Sequence, residues 1–166
     1  MRSSLLTTRW MASAAVAASL VAVAVLPGQA EAAGRSTMIQ NIGINAGTNN
    51  HYCMDGNASG KLYMSPCQNG NDFQWFEVTD YRLNKSSKIP IKQIKHKKSG
   101  LCLEGTGIAV VNLNPCRPGL EQEWSSTGDD RWFLGAKKGC LAADKTKVSL
   151  AACDLKRPDQ QWLGIH

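Results

Sequence analysis

The chain has 166 residues and a formal net charge of +6, with 19 Lys and Arg residues against 13 Asp and Glu residues. No long apolar segment follows residue 32, which excludes a protein with several membrane spans. The remaining length is near that of one domain of about 100–150 residues, so we expect a single domain in this sequence.

The first 32 residues are predicted to be a secretory signal peptide. Arg2 and Arg9 give a basic start, residues 11–26 are apolar or small without interruption, and residues 30–32 read Ala-Glu-Ala. This order is typical of signal peptides. A membrane anchor is the alternative, but the apolar run is shorter than the roughly 20 residues that cross a bilayer. We therefore expect residues 33–166 to form a single secreted domain without a membrane span.

A Cys…Cys…Trp pattern occurs three times in the rest of the chain. In each copy the Trp follows the first Cys at the same sequence distance, and the spacing between the cysteines is constant to within one residue. Fixed spacing repeated three times indicates one supersecondary unit used three times. The copies are Cys53, Cys67 and Trp75, then Cys102, Cys116 and Trp124, then Cys140, Cys153 and Trp162.

The six cysteines of this pattern predict disulfides. An even number of cysteines behind a signal peptide indicates an oxidising compartment. A metal site is the weaker alternative, because no CxxC pair or histidine stands at ligand spacing. We expect no metal and no cofactor. The repeat suggests that each unit closes its own bridge, as Cys53–Cys67, Cys102–Cys116 and Cys140–Cys153.

Short apolar segments alternate with turn residues along the chain. Segments 108–113 and 148–151 precede the second Cys of a unit, and polar turns such as 68–71 follow it. Short strands at regular intervals are typical of β-barrels and sandwiches, and no stretch has helical periodicity over three turns. Each unit is too small to bury its own apolar face, so the units are expected to share one core with pseudo-three-fold symmetry. The predicted repeats span about residues 36–80, 81–128 and 129–166.

The linker between the first two units is the most basic part of the chain. Between Lys85 and Lys98 it contains six lysines and His96. Such a segment can attract an anionic polymer through its positive field, so binding of a protein or polyanion partner is the alternative function. The simpler interpretation is a solvated hairpin with Ile91 and Ile94 between outward lysines. Nucleic acid is not expected, because aromatic residues do not interleave the lysines.

The motifs resemble the ricin-B-type β-trefoil lectin repeat, in which Cys-Leu-Asp opens a unit and Gln-x-Trp closes it. The opening motif matches residues 53–55, 102–104 and 140–142, and the closing motif matches residues 122–124 and 160–162. The first unit departs from the pattern, because its Gln directly precedes the Trp. The resemblance covers essentially all of residues 33–166. It implies an all-β β-trefoil, a six-stranded barrel capped by three hairpins, with the three tryptophans in or under the barrel core.

The resemblance also implies shallow, metal-free carbohydrate sites. The family's carboxylate stands two residues after the first Cys, where this chain has Asp55, Glu104 and Ala142. Its stacking aromatic is missing two residues before the second Cys, and Tyr63 is the expected substitute on the same strand face. Turn capping is the alternative for the Asp and Asn residues, and packing beside the disulfide is the alternative for Tyr63. The predicted carbohydrate-binding residues are Asp55, Tyr63, Asp72, Gln74, Glu104, Asn114, Glu121 and Gln122.

Together these features predict a secreted, non-catalytic lectin-like module. We expect it to bind an oligosaccharide or polysaccharide weakly, chiefly through the first unit, which retains the Asp. The third unit has Ala142 at the carboxylate position. Catalysis is not expected, because no cysteine is left over, no Gly-x-Ser-x-Gly elbow is present, and nothing marks a pair of glycosidase carboxylates.

Overall fold

The computed structural model describes residues 34–45, 50–107, 109–126 and 128–166, and the predicted signal peptide lies outside them. In this part of the chain, no helix is long and apolar enough to cross a membrane. The described strands are β1 (Arg35–Asn41), β2 (Tyr52–Gly56), β3 (Leu62–Pro66), β4 (Trp75–Leu83), β5 (Pro90–His96), β6 (Cys102–Gly107), β7 (Val110–Asn114), β8 (Trp124–Ser126), β9 (Trp132–Leu134), β10 (Gly139–Ala143), β11 (Val148–Ala151) and β12 (Trp162–Ile165). Single 3-10 turns lie at Gly43–Asn45, Asp72–Gln74, Leu120–Gln122, Gly135–Lys137 and Pro158–Gln160.

Six of these strands form a barrel. Antiparallel ladders join β12 to β1, β1 to β4, β4 to β5, β5 to β8 and β8 to β9. The Trp162 N–H donates to the Asp130 carbonyl at 2.8 Å, which links the start of β12 to the turn before β9. The other six strands pair as the hairpins β2–β3, β6–β7 and β10–β11. Three four-strand units in this order confirm the predicted β-trefoil.

The hairpins meet one another above a shared core. Met54, Leu103 and Leu141 each follow the first Cys of their unit, and all three are completely buried. A Cβ added at Gly105 would lie 2.2 Å from a methyl carbon of Leu134 and 2.8 Å from one of Leu150, so both leucines would have to shift to admit it. The three units therefore bury one apolar core together, as the repeat predicts.

The three predicted disulfides are present, with Cα–Cα distances of 4.9, 4.9 and 5.0 Å. Each joins the first strand of a hairpin to the segment after its second strand. In the chain-entropy model, a closed loop of about 15 residues stabilises the fold by roughly 3 kcal/mol. The bridges thus hold each hairpin to the polar turn that leads into the next barrel strand.

A buried glutamine ends the 3-10 turn of each unit. Its Oε1 accepts from the backbone N–H after the second Cys, at 2.7 Å in the first unit and 3.0 Å in the other two. Its Nε2 donates to the carbonyl before that Cys, at 2.7–3.0 Å. The three equivalent residues are Gln74, Gln122 and Gln160.

The predicted burial of Trp75 is wrong. Trp124 and Trp162 are buried, and their indole N–H groups donate to carbonyls in the hairpins at 2.9 Å. Trp75 is only half-buried, whereas Phe76 is completely buried. The reason is the position of Gln74, which stands one residue further from the first Cys than Gln122 does. The core aromatic follows the glutamine by two residues, and in the first unit that residue is Phe76.

His96, at the end of β5, is another buried polar residue. The Phe73 carbonyl can only accept, so the His96 Nε2–H donates to it at 2.9 Å. Nδ1 then accepts from the Ser99 hydroxyl at 2.7 Å, and the ring packs on Phe76 with centroids 5.2 Å apart. Burial lowers the pKa of His96, while the Phe73 carbonyl and the Asp55 carboxylate oppose that shift. The ring is therefore held in its neutral form inside the fold.

We expect the protein to lose stability as the pH falls from 7.5 to 5.5. Because the pKa of His96 is lower in the folded state than in the unfolded chain, the unfolded chain binds the proton first. The free energy of unfolding then decreases below about pH 6.5, by at most about 1.4 kcal/mol per pH unit. Urea unfolding at several pH values measures this slope.

The His96→Asn variant tests the source of that slope. Asn41 is completely buried at the end of β1 and pairs with the core aromatic Trp162, as His96 pairs with Phe76 at the end of β5. The fold therefore already accommodates Asn at the equivalent position of another unit. His96→Asn should flatten the pH dependence, and His51→Asn, at an exposed histidine, should not. An unchanged slope in His96→Asn would show that another group is responsible.

The glutamine contacts give a second prediction. Replacing Gln160 by Leu removes two hydrogen bonds from buried backbone groups and should lower the free energy of unfolding by about 2–4 kcal/mol. Gln161→Leu is the matched control, since its side chain is half-buried and its loss should cost within about 0.5 kcal/mol. Equal losses in urea unfolding of the two variants would contradict the role given to Gln160.

Candidate functional site

The predicted carboxylates lie in the hairpins, each directly opposite a residue of the second strand. Asp55 faces Tyr63 across β2–β3, and Glu104 faces Asn112 across β6–β7. In the third unit Ala142 occupies the same place. Of the three units, only the first two have a carboxylate at this position, and the hydrogen bonds of these two carboxylates can be compared.

Asp55 is buried, with 2% of its surface exposed, and one of its oxygens holds a cluster together. Oδ2 accepts from the Ser65 hydroxyl at 2.6 Å, from Asn71 Nδ2 at 3.0 Å and from Gln74 Nε2 at 3.3 Å. Ser65 stands where the lectin repeat has its stacking aromatic. The other oxygen, Oδ1, is buried and has no aligned hydrogen-bond partner among the described residues. The carboxylate is thus fixed through Oδ2, while Oδ1 has no aligned hydrogen bond.

Tyr63 is the aromatic residue nearest this cluster along the hairpin. Its side chain is half-buried. Partial burial raises the pKa of the phenol, and the charge of the Asp55 carboxylate and a side-chain hydrogen-bonding interaction with it raise the pKa further. The hydroxyl therefore stays protonated at neutral pH and remains able to donate a hydrogen bond.

Glu104 in the second unit is also buried but has partners on both oxygens. Oε1 accepts from Asn114 Nδ2 at 3.2 Å and from the Arg117 guanidinium at 3.0 Å. Oε2 accepts from Gln122 Nε2 at 2.6 Å. The charge is neutralised internally, because Arg117 lies over it from the exposed side.

The structure brings together six of the eight predicted site residues in two clusters and leaves Asp72 and Glu121 outside them. No hydrogen bond among the described residues joins Asp72 to Asp55 or Glu121 to Glu104. Asp72 is exposed and pairs with Lys98 at 3.0 Å. The 3-10 turns place Phe73, not Asp72, at the position equivalent to Glu121. The residues in contact are Asp55 with Gln74, and Glu104 with Asn114 and Gln122, while Tyr63 interacts with Asp55.

Sequence reasoning missed three members of these clusters. Ser65, Asn71 and Arg117 each supply a direct hydrogen bond to a carboxylate. Ser65 could have been found from the strand register, since it shares a face with Tyr63. Asn71 and Arg117 lie in turns whose direction the repeat spacing does not fix.

Three of the six lysines of the basic segment are paired with acidic side chains among the described residues. Lys92 pairs with Asp80, and Lys95 pairs with Glu77 at 3.8 Å across the β4–β5 ladder. Lys98 pairs with Asp72, and His96 is buried in its neutral form. Carboxylates next to the lysines reduce the positive field that an anionic polymer would meet.

The comparisons with known proteins agree with this architecture. The model of the ricin-type beta-trefoil lectin domain matches residues 90–165. No curated protein matches the sequence significantly.

Among solved structures, similar folds occur in natural and designed proteins. One is a non-toxic homologue of type II RIPs from Momordica charantia (bitter gourd), in complex with alpha-methyl-D-galactoside. It shares 16% identity with a TM-score of 0.63, and the match covers 81% of this chain and 49% of that chain. The agglutinin from Abrus precatorius shares 14% identity with a TM-score of 0.61, covering 81% of this chain and 48% of that one. The designed 3-fold symmetric protein ThreeFoil is 14% identical, and its TM-score is 0.59. The match covers 79% of this chain and 98% of that chain.

This chain spans about half the length of the two plant proteins, so the likeness to them concerns one β-trefoil. The fold is shared over about four fifths of the present chain. The predicted resemblance to the ricin-type β-trefoil lectin domain is thereby confirmed, by the family match over residues 90–165 and by the β-trefoil fold of the described chain.

Proposed function

We propose that the protein is a secreted, non-catalytic lectin-like module that binds an oligosaccharide or polysaccharide weakly, chiefly through the first unit. The family match supports carbohydrate binding as the class of function. Three disulfides are compatible with an extracellular location. The hydrogen bonding of the Asp55 carboxylate favours the first unit as the binding site.

The Oδ1 of Asp55, which is buried without an aligned hydrogen bond, is the observation that carries this proposal. A buried acceptor without a hydrogen bond costs about 1–3 kcal/mol, and a donated sugar hydroxyl would recover that cost. The three donors on Oδ2 hold the carboxylate in one orientation, which is what a binding group requires. Tyr63 faces Asp55 across the hairpin and interacts with it, so a ligand that reaches Oδ1 would have to compete with the Tyr63 hydroxyl.

The other two units lack this capacity. Both oxygens of Glu104 are already bonded, and Arg117 neutralises its charge. A sugar hydroxyl would have to displace a charge-assisted bond there, which is stronger than a neutral one. Ala142 provides no acceptor in the third unit. A single weak site is the consequence of this asymmetry.

We expect Asp55→Asn to weaken binding of a neutral oligosaccharide about tenfold. The substitution keeps the side-chain volume and removes the charge that strengthens the bond to a hydroxyl. Tyr63→Ala should weaken binding at least as much, because it removes the ring that faces the carboxylate. A glycan array identifies the oligosaccharide, and titration calorimetry then gives the dissociation constants.

Glu104→Gln is the matched control, since it makes the same chemical change in the second unit and should leave binding intact. Unchanged binding in Asp55→Asn, with its melting temperature preserved, would remove the first unit from the proposal. If binding instead disappeared at high salt and in a Lys85→Gln, Lys88→Gln variant, the polyanion alternative would replace it.

A further inference from the structure

The first unit exposes an aromatic ring where the other two units have polar side chains. The residue between the buried glutamine and the core aromatic is Trp75 in the first unit, and Glu123 and Gln161 in the others. Glu123 pairs with Arg82, whose Nε lies 3.2 Å from Oε1. Trp75 is half-buried, and its indole N–H makes only a long bond of 3.4 Å to the Asn69 carbonyl.

Trp75 forms one wall of a cleft of about 360 Å³, here named the Trp75 cleft, which is lined by Ser36, Asp72, Trp75, Lys97 and Lys98. Phe76 and His96 are paired across the β4–β5 ladder and both point into the core. Lys97 directly follows β5 in a turn, and its backbone N–H donates to the Trp75 carbonyl at 2.9 Å. Both side chains line the cleft, which brings the indole and the Lys97 side chain to the same part of the surface.

The two lysines of the cleft differ in their partners. Lys98 Nζ lies 3.0 Å from Asp72 Oδ2 and 5.8 Å from the centre of the Phe73 ring. Lys97 is exposed, and its ammonium group has no ion pair with any residue that the structure describes. The cleft therefore presents one ring, one uncommitted positive charge and one internal ion pair, with a net positive charge.

We propose that the Trp75 cleft binds an acidic sugar, a hexuronate residue of an oligosaccharide or polysaccharide. The apolar face of the pyranose would pack on the indole, which offers a large flat surface with a polar N–H at its edge. The carboxylate would pair with Lys97 in a charge-assisted hydrogen bond. Asp72 and Lys98 would meet the ring hydroxyls as acceptor and donor.

The chemistry of the cleft favours this ligand over its nearest rivals. A neutral sugar leaves the Lys97 ammonium without an anionic partner. A phosphate polymer satisfies the ammonium but has no apolar face for the indole. The cleft is separate from the Asp55 cluster and does not depend on it for binding.

The test is titration calorimetry of the purified protein with a galacturonate trisaccharide, using the neutral galactose trisaccharide and inorganic polyphosphate for comparison. We expect the acidic trisaccharide to bind at least tenfold more tightly than the neutral one at this cleft. Trp75→Gln, which installs the residue of the third unit, and Lys97→Gln should each weaken its binding about tenfold. Trp75→Tyr keeps a ring and should retain binding within about threefold.

Lys95→Gln is the charge control, because Lys95 lies two positions earlier on the same outward face but pairs with Glu77 outside the cleft. An equal loss in Lys95→Gln and Lys97→Gln would overturn the proposal, as would wild-type affinity in Trp75→Gln. Polyphosphate binding that matches the acidic sugar and ignores Trp75→Gln would identify simple charge attraction instead. Asp55→Asn should leave acidic-sugar binding unchanged, so failure at one site is distinguishable from failure at the other.

Discussion

The buried glutamine that ends each 3-10 turn is the contact on which every unit depends. Its amide bonds to the backbone on both sides of the second Cys, so it fixes the polar segment that the disulfide also holds. Buried backbone groups in a turn would otherwise lack partners, and each would destabilise the fold by about 1–3 kcal/mol. The same amide sets the start of the next barrel strand, since the residue two positions later enters the core. Strand register, core aromatic and carboxylate cluster all follow from this one side chain.

Much of the fold could be predicted from the sequence because the same spacing of Cys and Trp residues occurs three times. Constant spacing between the cysteines led directly to the three bridges, and the short apolar segments led to the strands. Trp124 and Trp162 were placed in the core for the same reason. The prediction was wrong for Trp75, where one additional residue before Gln74 moves the register. Alternate residues of a strand point to opposite faces, so a shift of one residue moves the indole from the core to the surface.

The candidate site was predictable only in part. The opening motif located Asp55 and Glu104, and the closing motif located Gln122 beside Glu104. Their burial could not be inferred, because it depends on turn residues such as Asn71 and Arg117 that fold over the carboxylates. Side chains of turns are directed by local backbone geometry and by tertiary contacts, and neither is encoded in the repeat spacing.

The first two units differ most in how completely their polar groups are satisfied from within. In the second unit Arg117 neutralises Glu104 and Arg82 neutralises Glu123, so a ligand would have to compete with bonds already formed. At the equivalent positions of the first unit, Oδ1 of Asp55 has no aligned hydrogen bond and the Trp75 ring is partly exposed. Internal hydrogen bonds and ion pairs stabilise the folded protein. A buried polar group without such a bond destabilises it, and a bond to a ligand would remove that cost. Pseudo-symmetry thus preserves the shared core in all three units, and the proposed binding falls to the unit whose carboxylate and indole are less completely bonded from within.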